Sequence, residues 1–274
     1  MKEPFHFVDE SYYLIHHWQK INPQVVAGFT TKNGGTSSEP YESNNFGFHV
    51  GDQQEKVVQN RKRLAQKINF PLENWVSCEQ THGINIYQVT ERDKGKGSSL
   101  YSDSIKDCDG IFTDQNHILL TLMYADCVPI FFLAPENNIG IVHAGWKGTV
   151  NNIVRSFIEQ WRKSGIRKET IHVTIGPSIC NKCYIVDNKV IKEVQKLPID
   201  NAQSCYEQIE ENQYRIDLKE LNRLLLLKEG IKQENILVTS LCSSCNDTHF
   251  FSHRRDHGRT GRMMGFIGIR EEKN

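Results

Sequence analysis

The sequence lacks three features that would each define a class of protein. It has no excess of charge, because 33 basic and 33 acidic side chains give a formal net charge of zero. It has no apolar run of the roughly 18 residues that a membrane-spanning helix needs, since the longest candidate, 118–134, contains Asp126. Residues 1–20 carry acidic side chains and a proline where a signal peptide would have an apolar core. We therefore expect a cytoplasmic protein that binds neither nucleic acid nor membranes.

Two metal-site patterns are also missing. Multicopper oxidases hold several copper ions with many histidines, typically in His-x-His pairs, and the eleven histidines here include no such pair. The signature of the zinc-dependent nucleobase deaminases, H-x-E followed by P-C-x-x-C, is absent as well. These absences disfavour copper oxidation and a deaminase site of that particular type.

The eight cysteines include two C-x-x-C pairs, at 180–183 and 242–245. Without a secretory signal, we interpret the cysteines as reduced thiols that serve as core residues or metal ligands. The gap between the two pairs is far longer than the roughly 15–20 residues that are usual in zinc ribbons. This spacing disfavours a second zinc site, although it leaves one open.

We predict a single domain spanning residues 1–274, because no repeat, low-complexity tract or linker divides the chain. Apolar residues at helical spacing predict helices over 55–68, 150–163 and 218–228. Short apolar runs predict strands at 84–89, 110–113, 119–124, 129–134, 139–143, 171–175, 236–241 and 265–269. Clustered strands with few helices indicate an α+β fold, with mixed sheets flanked by helices.

One predicted hairpin matters for the chemistry. Strands 129–134 and 139–143 flank the turn-rich segment 135–138, which favours antiparallel pairing. Such pairing would bring Cys127 and His143 together at the open end of the hairpin.

Three residues at predicted strand ends are suited to metal binding. His82, Cys127 and His143 offer two imidazoles and a thiolate, which are suitable zinc ligands and leave a fourth position for water. A water molecule bound there becomes a nucleophile near neutral pH. Two alternatives stay open on spacing alone: ordinary hydrogen-bonded polar residues, or a hydrolase with Cys127 as nucleophile and His143 as base.

Several motifs occur in one order along nearly the whole chain, from about residue 30 to residue 269: QTHG, ADCVPIFF, GIVHAGWKGTV, IGPSICNKCYIV and SHRRDHGRTGR. Together they resemble the YlmD/YfiH family. Its members were once described as polyphenol oxidases or laccases and are now described as purine nucleoside phosphorylases with adenosine deaminase activity. The resemblance implies that His82, Cys127 and His143 bind zinc, and that the fold is related to that of cysteine hydrolases.

A cluster of arginines near the C-terminus is suited to anion binding. Arg254, Arg255, Arg259 and Arg262 lie within nine residues, and His257 is an addition to the family pattern. Guanidinium groups bind phosphate with two parallel hydrogen bonds. We predict Arg255 and Arg262 as the catalytic pair, with Lys147 contributing from another side. Salt bridges to acidic neighbours, or a solvated basic loop, are the alternative for any one arginine.

Three polar residues are predicted to bind substrate. Asn45 lies in the segment 43–52, which resembles the family's NLGxHVGD pattern, and Arg61 matches its NR pair. Gln80 precedes His82. Capping and turn roles are an equally good interpretation of Asn45. As proton carrier we predict Asp126, with Glu79 and Asp109 as alternatives.

The resulting hypothesis is a zinc-dependent purine nucleoside phosphorylase. Its expected substrates are phosphate and adenosine, inosine or methylthioadenosine, with adenosine deamination as a side activity. The alternatives are a hydrolase or deamidase built on Cys127 and His143, and a non-enzymatic accessory protein. The sequence makes no prediction about the oligomeric state.

Overall fold

Within residues 3–271, which the computed structural model describes, the chain forms fifteen β-strands and five α-helices. The strands are β1 His6–Asp9, β2 Tyr12–Leu14, β3 Val25–Thr30, β4 Trp75–Ser77, β5 Ile86–Gln88, β6 Gly110–Thr113, β7 Leu119–Tyr124, β8 Val128–Leu133, β9 Ile139–Ala144, β10 His172–Ile175, β11 Ile185–Val186, β12 Tyr206–Glu210, β13 Gln213–Ile216, β14 Ile236–Val238 and β15 Met263–Ile269. The helices are α1 Gln54–Lys67, α2 Trp146–Val150, α3 Ile153–Lys163, α4 Asn188–Val194 and α5 Leu218–Lys228.

The strands form three sheets. Two have six strands, in the orders β1-β2-β3-β15-β7-β4 and β14-β10-β8-β9-β6-β5, and the third has the order β11-β13-β12. Both large sheets are mixed, because β4 pairs parallel with β7 and β10 pairs parallel with β14 while most other pairs are antiparallel. The predicted mixed fold of strands and helices is confirmed, and its relation to the cysteine hydrolase fold stays a prediction.

The two large sheets bury one apolar core between them. Leu120 and Ile267 of the first sheet belong to the same buried cluster as Phe131 and Ile141 of the second. The outer face of the second sheet is covered by α3, where the ring of Phe157 stacks on Phe132 at 4.1 Å. Strands buried on both faces explain why the sequence runs are continuously apolar.

The predicted hairpin is confirmed. Strands β8 and β9 pair antiparallel with Pro129 opposite His143. Cys127 immediately precedes β8, so it lies beside the end of β9 that carries His143. Helix α5 has the predicted bounds, and α1 differs from its prediction by one residue at each end.

The predicted helix over 150–163 is divided in two. Asn152 has a φ of +58° and separates α2 from α3, and its side chain accepts a hydrogen bond from the N–H of Arg155. Asparagine tolerates the left-handed conformation and caps helices well, so a helix can begin at this residue. The first of the two helices, α2, starts at Trp146, directly after Gly145, which follows β9.

Strands β1 to β4 and the whole third sheet were not predicted. Ile216 is the only buried residue of strands β12 and β13, so no apolar run marks them in the sequence. None of the helices described between residues 3 and 271 has the length and hydrophobicity that crossing a membrane requires.

Candidate active site

A cleft of about 500 Å³ opens where the loops after β4, β7 and β9 meet. Its lining includes seven of the ten residues predicted from the sequence: Gln80, His82, Asp126, Cys127, His143, Lys147 and Arg262. A volume in this range is typical of sites for small-molecule ligands.

The three predicted metal ligands converge on one point of this cleft. Their ligand atoms lie within 4.8 Å of one another. The Nε2 atom of His82 is 3.8 Å from the Sγ atom of Cys127, and the imidazole rings of His82 and His143 are 4.8 Å apart between centroids. His143 is buried and His82 is exposed, so the cluster has one open side.

The buried carboxylate of Asp109 organises this cluster. One oxygen lies 2.8 Å from Nδ1 of His143 and also accepts the backbone N–H of His82 at 3.1 Å. The other accepts the backbone N–H groups of Thr81 and Gly83 at 3.1 and 2.7 Å. Asp109 thus fixes both the ring of His143 and the loop that carries His82, as carboxylates behind metal-binding histidines commonly do.

The electrostatics of the cluster favour a thiolate beside a charged imidazole when no metal is bound. Burial alone would raise the pKa of the Cys127 thiol, but His143 and His82 lower it to about 6. Burial would lower the pKa of His143, whereas Cys127 and Asp109 raise it to about 9. The hydrogen bond and charge of His143 outweigh the burial of Asp109 and lower the pKa of its carboxyl.

These residues fit zinc. Because Nδ1 of His143 donates to Asp109, its Nε2 is the nitrogen left for a metal. One thiolate and two imidazoles match the donors that zinc prefers, with a fourth position left for a reactant. Gly145 leaves the necessary space, since a Cβ there would lie 2.9 Å from Cδ2 of His82 and 3.1 Å from Sγ of Cys127.

Asp126 lines the cleft, but its carboxylate is already bound. Its oxygens accept hydrogen bonds from the hydroxyls of Ser243 and Ser252, at 2.6 and 3.0 Å, and from the backbone N–H of Arg254 at 2.7 Å. Its φ of +86° turns the chain sharply between β7 and Cys127. Asp126 therefore connects the segment before Cys127 to the loops that follow β14.

Gln80 also lines the cleft and is tied to the backbone. Its side-chain amide donates to the carbonyl of Met123 at 2.9 Å and accepts the N–H of the same residue at 2.7 Å. This double contact attaches the loop of His82 to the end of β7.

Several cationic side chains line the same cleft. Arg262 is half-buried, burial lowers the pKa of its guanidinium, and its Nη1 donates to the carbonyls of Thr260 and Gly261. Lys147 is exposed beside the ring of Trp146. Arg254, which we did not select from the arginine cluster, completes this wall. The cleft thus combines a candidate metal site with a wall of cationic side chains that attracts anions.

Three of the predicted residues lie outside the cleft lining. The guanidinium of Arg255 binds Asp256 at 2.7 Å and backbone carbonyls of the neighbouring loop. That of Arg61 is buried and donates to backbone carbonyls, and burial lowers its pKa to about 9. The side chain of Asn45 holds the backbone N–H groups of Gly47 and Arg262.

Sequence reasoning missed other residues of the lining, among them His49, Tyr184 and His253. Burial and the charge of Arg262 lower the pKa of His49 to about 4, so its imidazole is neutral at pH 7. His49 lies in the segment 43–52, which carried the only signal that could have identified it. Tyr184 lies beneath Arg254, whose guanidinium is 4.9 Å from the centre of the tyrosine ring.

A family model described as "Multi-copper polyphenol oxidoreductase laccase" matches residues 26–270. The chain is 45% identical to purine nucleoside phosphorylase YlmD of Bacillus subtilis over 98% of both chains. It is 36% identical to a purine nucleoside phosphorylase of Staphylococcus epidermidis, over 98% of this chain and 99% of that protein.

Solved structures resemble the whole fold. The crystal structure of Bacillus licheniformis hypothetical protein YfiH superposes with a TM-score of 0.95 at 44% identity, covering 97% of this chain and 99% of the other. That of YlmD from Geobacillus stearothermophilus gives a TM-score of 0.92 at 41% identity, covering 98% of this chain and 100% of the other.

Proposed function

The chain belongs to the YlmD/YfiH family, and we propose that it is a zinc-dependent purine nucleoside phosphorylase that also deaminates adenosine. The proposed nucleosides are adenosine, inosine and methylthioadenosine. One observation carries the proposal: His82, Cys127 and His143 share a cleft with Arg262 and Lys147. Phosphorolysis needs a site for a nucleoside beside a site for a phosphate anion. In this cleft the metal-ligand cluster would serve the nucleoside, and the cationic side chains would bind the phosphate.

Arg262 and Lys147 are the proposed phosphate-binding residues. A half-buried guanidinium binds phosphate more strongly than an exposed one, because less water competes for the hydrogen bonds. The backbone of Arg262 is held by Asn45 at 2.8 Å, which fixes where its side chain begins. Lys147 lies at the start of α2, one residue after Trp146, and adds an exposed positive charge. Arg255 keeps its predicted role as a hypothesis, although its guanidinium is engaged by Asp256.

His82, Cys127 and His143 would hold the zinc ion, with Asp109 orienting His143 from behind. Zinc bound there would supply a Lewis acid at the open side of the cluster. In phosphorolysis, a phosphate oxygen forms a bond to the anomeric carbon and the glycosidic C–N bond breaks. The purine leaves with the bonding electrons and takes up a proton.

Asp126 remains the proposed proton carrier. The hydroxyls of Ser243 and Ser252 that bind it are buried outside the cleft lining, so a proton would pass directly between the Asp126 carboxylate and the cleft. In the proposed deamination, water replaces the amino group of adenine and ammonia leaves. The same cleft would serve both reactions, with phosphate needed for only one of them.

The test is to incubate the zinc-loaded enzyme with each nucleoside, with and without phosphate, and to compare His82→Ala. We expect free purine base and the 1-phosphate of the corresponding pentose only when phosphate is present, ammonia from adenosine in either case, and none of these products from the variant. Release of purine base at the same rate without phosphate would contradict phosphorolysis.

A Cys–His hydrolase or deamidase is the second candidate. The lowered pKa of the Cys127 thiol and the raised pKa of His143 favour it, because an ion pair of this kind activates a nucleophilic cysteine. Metal dependence separates the two candidates. Activity that survives complete zinc removal and is blocked by alkylation of Cys127 would favour the hydrolase.

A further inference from the structure

The two C-x-x-C pairs meet at a second place in the fold. The sulphur atoms of Cys180, Cys183, Cys242 and Cys245 all lie within 4.8 Å of one another. The Sγ atom of Cys245 is 3.4 Å from that of Cys183 and 3.8 Å from that of Cys180. Four sulphurs around a tetrahedral zinc ion, with Zn–S bonds of about 2.3 Å, lie about 3.8 Å apart.

Strand pairing explains why the long gap between the two pairs does not keep them apart. Strands β10 and β14 are parallel neighbours, with Val173 opposite Ile236. Each strand leads into one C-x-x-C segment, and a further parallel bridge joins Ser178 to Cys242. In zinc ribbons the two C-x-x-C pairs lie close together in sequence, which is why the long gap disfavoured a second zinc site. Here the third sheet, α4 and α5 fill the intervening chain.

Backbone N–H groups favour a thiolate at Cys242. The N–H groups of Cys180 and Cys245 both point at the Sγ atom of Cys242, at 3.2 and 3.3 Å. Sulphur is a weak acceptor when it carries a proton, and two donors aimed at it stabilise its negative charge. The first pair also forms a tight turn, in which the carbonyl of Cys180 accepts the N–H of Cys183, and the carbonyl of Cys242 accepts the N–H of Asn246.

Positive charge lies close to the loop that carries Cys242 and Cys245. The buried ammonium of Lys219 donates to the carbonyls of Thr239 and Leu241 at 3.1 Å. The guanidinium of Arg255 donates to the carbonyls of Ser243 and Ser244. Four thiolates and a zinc ion carry a net charge of two minus. The ammonium of Lys219 partly balances it, whereas the charge of Arg255 is already paired with Asp256.

Two disulfides would be the other way to satisfy four thiols. The geometry does not divide into two separate pairs, because Cys245 lies close to both Cys180 and Cys183. All four cysteines are free in the structure. Sulphurs that converge on one point are the arrangement that a single metal ion requires.

We propose that Cys180, Cys183, Cys242 and Cys245 bind a second zinc ion, in a closed structural site of four thiolates. The site shares no ligand with the cluster of His82, Cys127 and His143. It stabilises two loops beside the cleft. The loop of Cys180 and Cys183 contributes Ile179 and Tyr184 to the cleft lining, and in the loop of Cys242 and Cys245 the Ser243 hydroxyl donates to Asp126. The metal therefore holds the two loops together and takes no part in the reaction.

The test is to count zinc in the full-length protein, purified under reducing conditions without added chelator. We expect about two equivalents per chain in the wild type, about one in Cys245→Ser, about one in His82→Ala and none in the double variant. Cys245 is exposed, so serine should be tolerated there. The matched control is Cys205→Ala, a buried cysteine outside both clusters, which should retain both ions.

A second measurement identifies the ligands. Cobalt(II) added to metal-free His82→Ala should give the intense sulphur-to-cobalt charge-transfer bands and tetrahedral ligand-field bands of a tetrathiolate site. Both sets of bands should be weakened when Cys245 is also replaced. One zinc equivalent in the wild type that His82→Ala removes entirely, or two disulfides found by mass spectrometry, would overturn the proposal. Neither measurement uses nucleoside turnover, so the phosphorylase proposal can fail while this one stands.

Discussion

The Asp109 carboxylate lies 2.8 Å from Nδ1 of His143, and both side chains are buried. This contact aims the opposite nitrogen of the imidazole at Cys127 and His82. The same carboxylate holds the backbone of the His82 loop. One residue outside the ligand set thus positions two of the three proposed zinc ligands.

Asp109→Asn should weaken zinc binding at the cleft. The amide retains the size of the carboxylate but loses its charge and one acceptor, so the imidazole is held less firmly and is less basic. We expect zinc affinity to fall by about 10- to 100-fold, measured by competition with a chelator. Asp107→Asn is the matched control, because Asp107 binds Thr81 and Asn85 but does not touch His143. Equal losses in the two variants would contradict the positioning role.

Gly145→Ala should displace the ligands without straining the backbone. Its φ of −69° suits alanine, but the new Cβ would press on His82 and Cys127. We expect zinc affinity to fall by about tenfold or more, equivalent to about 1.4 kcal/mol. In the comparison variant, Gly165→Ala, the Cβ meets nothing within 4 Å but the φ of +82° is unfavourable. That variant should lower the melting temperature and leave zinc affinity unchanged.

Arg262→Gln should raise the KM for phosphate. Removal of a charge-assisted contact costs about 1.5–3 kcal/mol, which corresponds to an increase of about tenfold or more. The KM for the nucleoside should change much less. Arg259→Gln, an exposed arginine in the same loop, provides the control for a general loss of positive charge. If both variants raise the KM for phosphate equally, Arg262 has no specific contact with the anion.

Arg255→Gln separates a structural role from the catalytic one predicted from the sequence. Its guanidinium binds Asp256 and the carbonyls of Ser243, Ser244 and Phe250. We expect a loss of stability of about 1–3 kcal/mol, because these acceptors lose a partner, with an unchanged KM for phosphate. Urea denaturation and phosphate titration measure the two effects. A raised KM at normal stability would instead support phosphate binding by Arg255.

Alkylation of the zinc-free protein should reveal an acidic thiol. Because the pKa of Cys127 is lowered to about 6, its thiolate fraction rises with pH through about 6 and is nearly complete at pH 8. An ordinary cysteine thiol is half ionised only at about pH 8.5. The rate of iodoacetamide labelling at Cys127, followed by peptide mass spectrometry, should therefore level off below pH 8. A profile that keeps rising to pH 9 would show that His143 does not stabilise this thiolate.

Local patterns in the sequence predicted the elements that carry the proposed ligands. The apolar runs and the turn at 135–138 predicted the hairpin of β8 and β9, since antiparallel pairing follows from a short connection. The sequence alone therefore predicts that Cys127 and His143 lie close together. His82 was different, because only the family resemblance connected it to them. Its loop reaches the site through the contacts of Asp109 and Gln80.

The arginine cluster shows what composition leaves undecided. Arg255 and Arg262 looked equivalent in the sequence, as two cations seven residues apart in one motif. In the structure, Arg255 binds Asp256 and loop carbonyls, whereas Arg262 lines the cleft. Which cation faces a ligand depends on the direction of each side chain in an irregular loop, and no periodicity encodes that direction.

The sequence by itself determined the family, the mixed fold and the residues around which the cleft is built. It did so because secondary structure follows local hydrophobic patterns and because the motifs are contiguous. Tertiary structure alone decided that the two C-x-x-C pairs converge, since the parallel pairing of β10 with β14 joins segments far apart in the chain. It also decided that Asp109 lies behind His143, because β6, which Asp109 immediately precedes, pairs with β9 although the two strands do not follow one another in sequence.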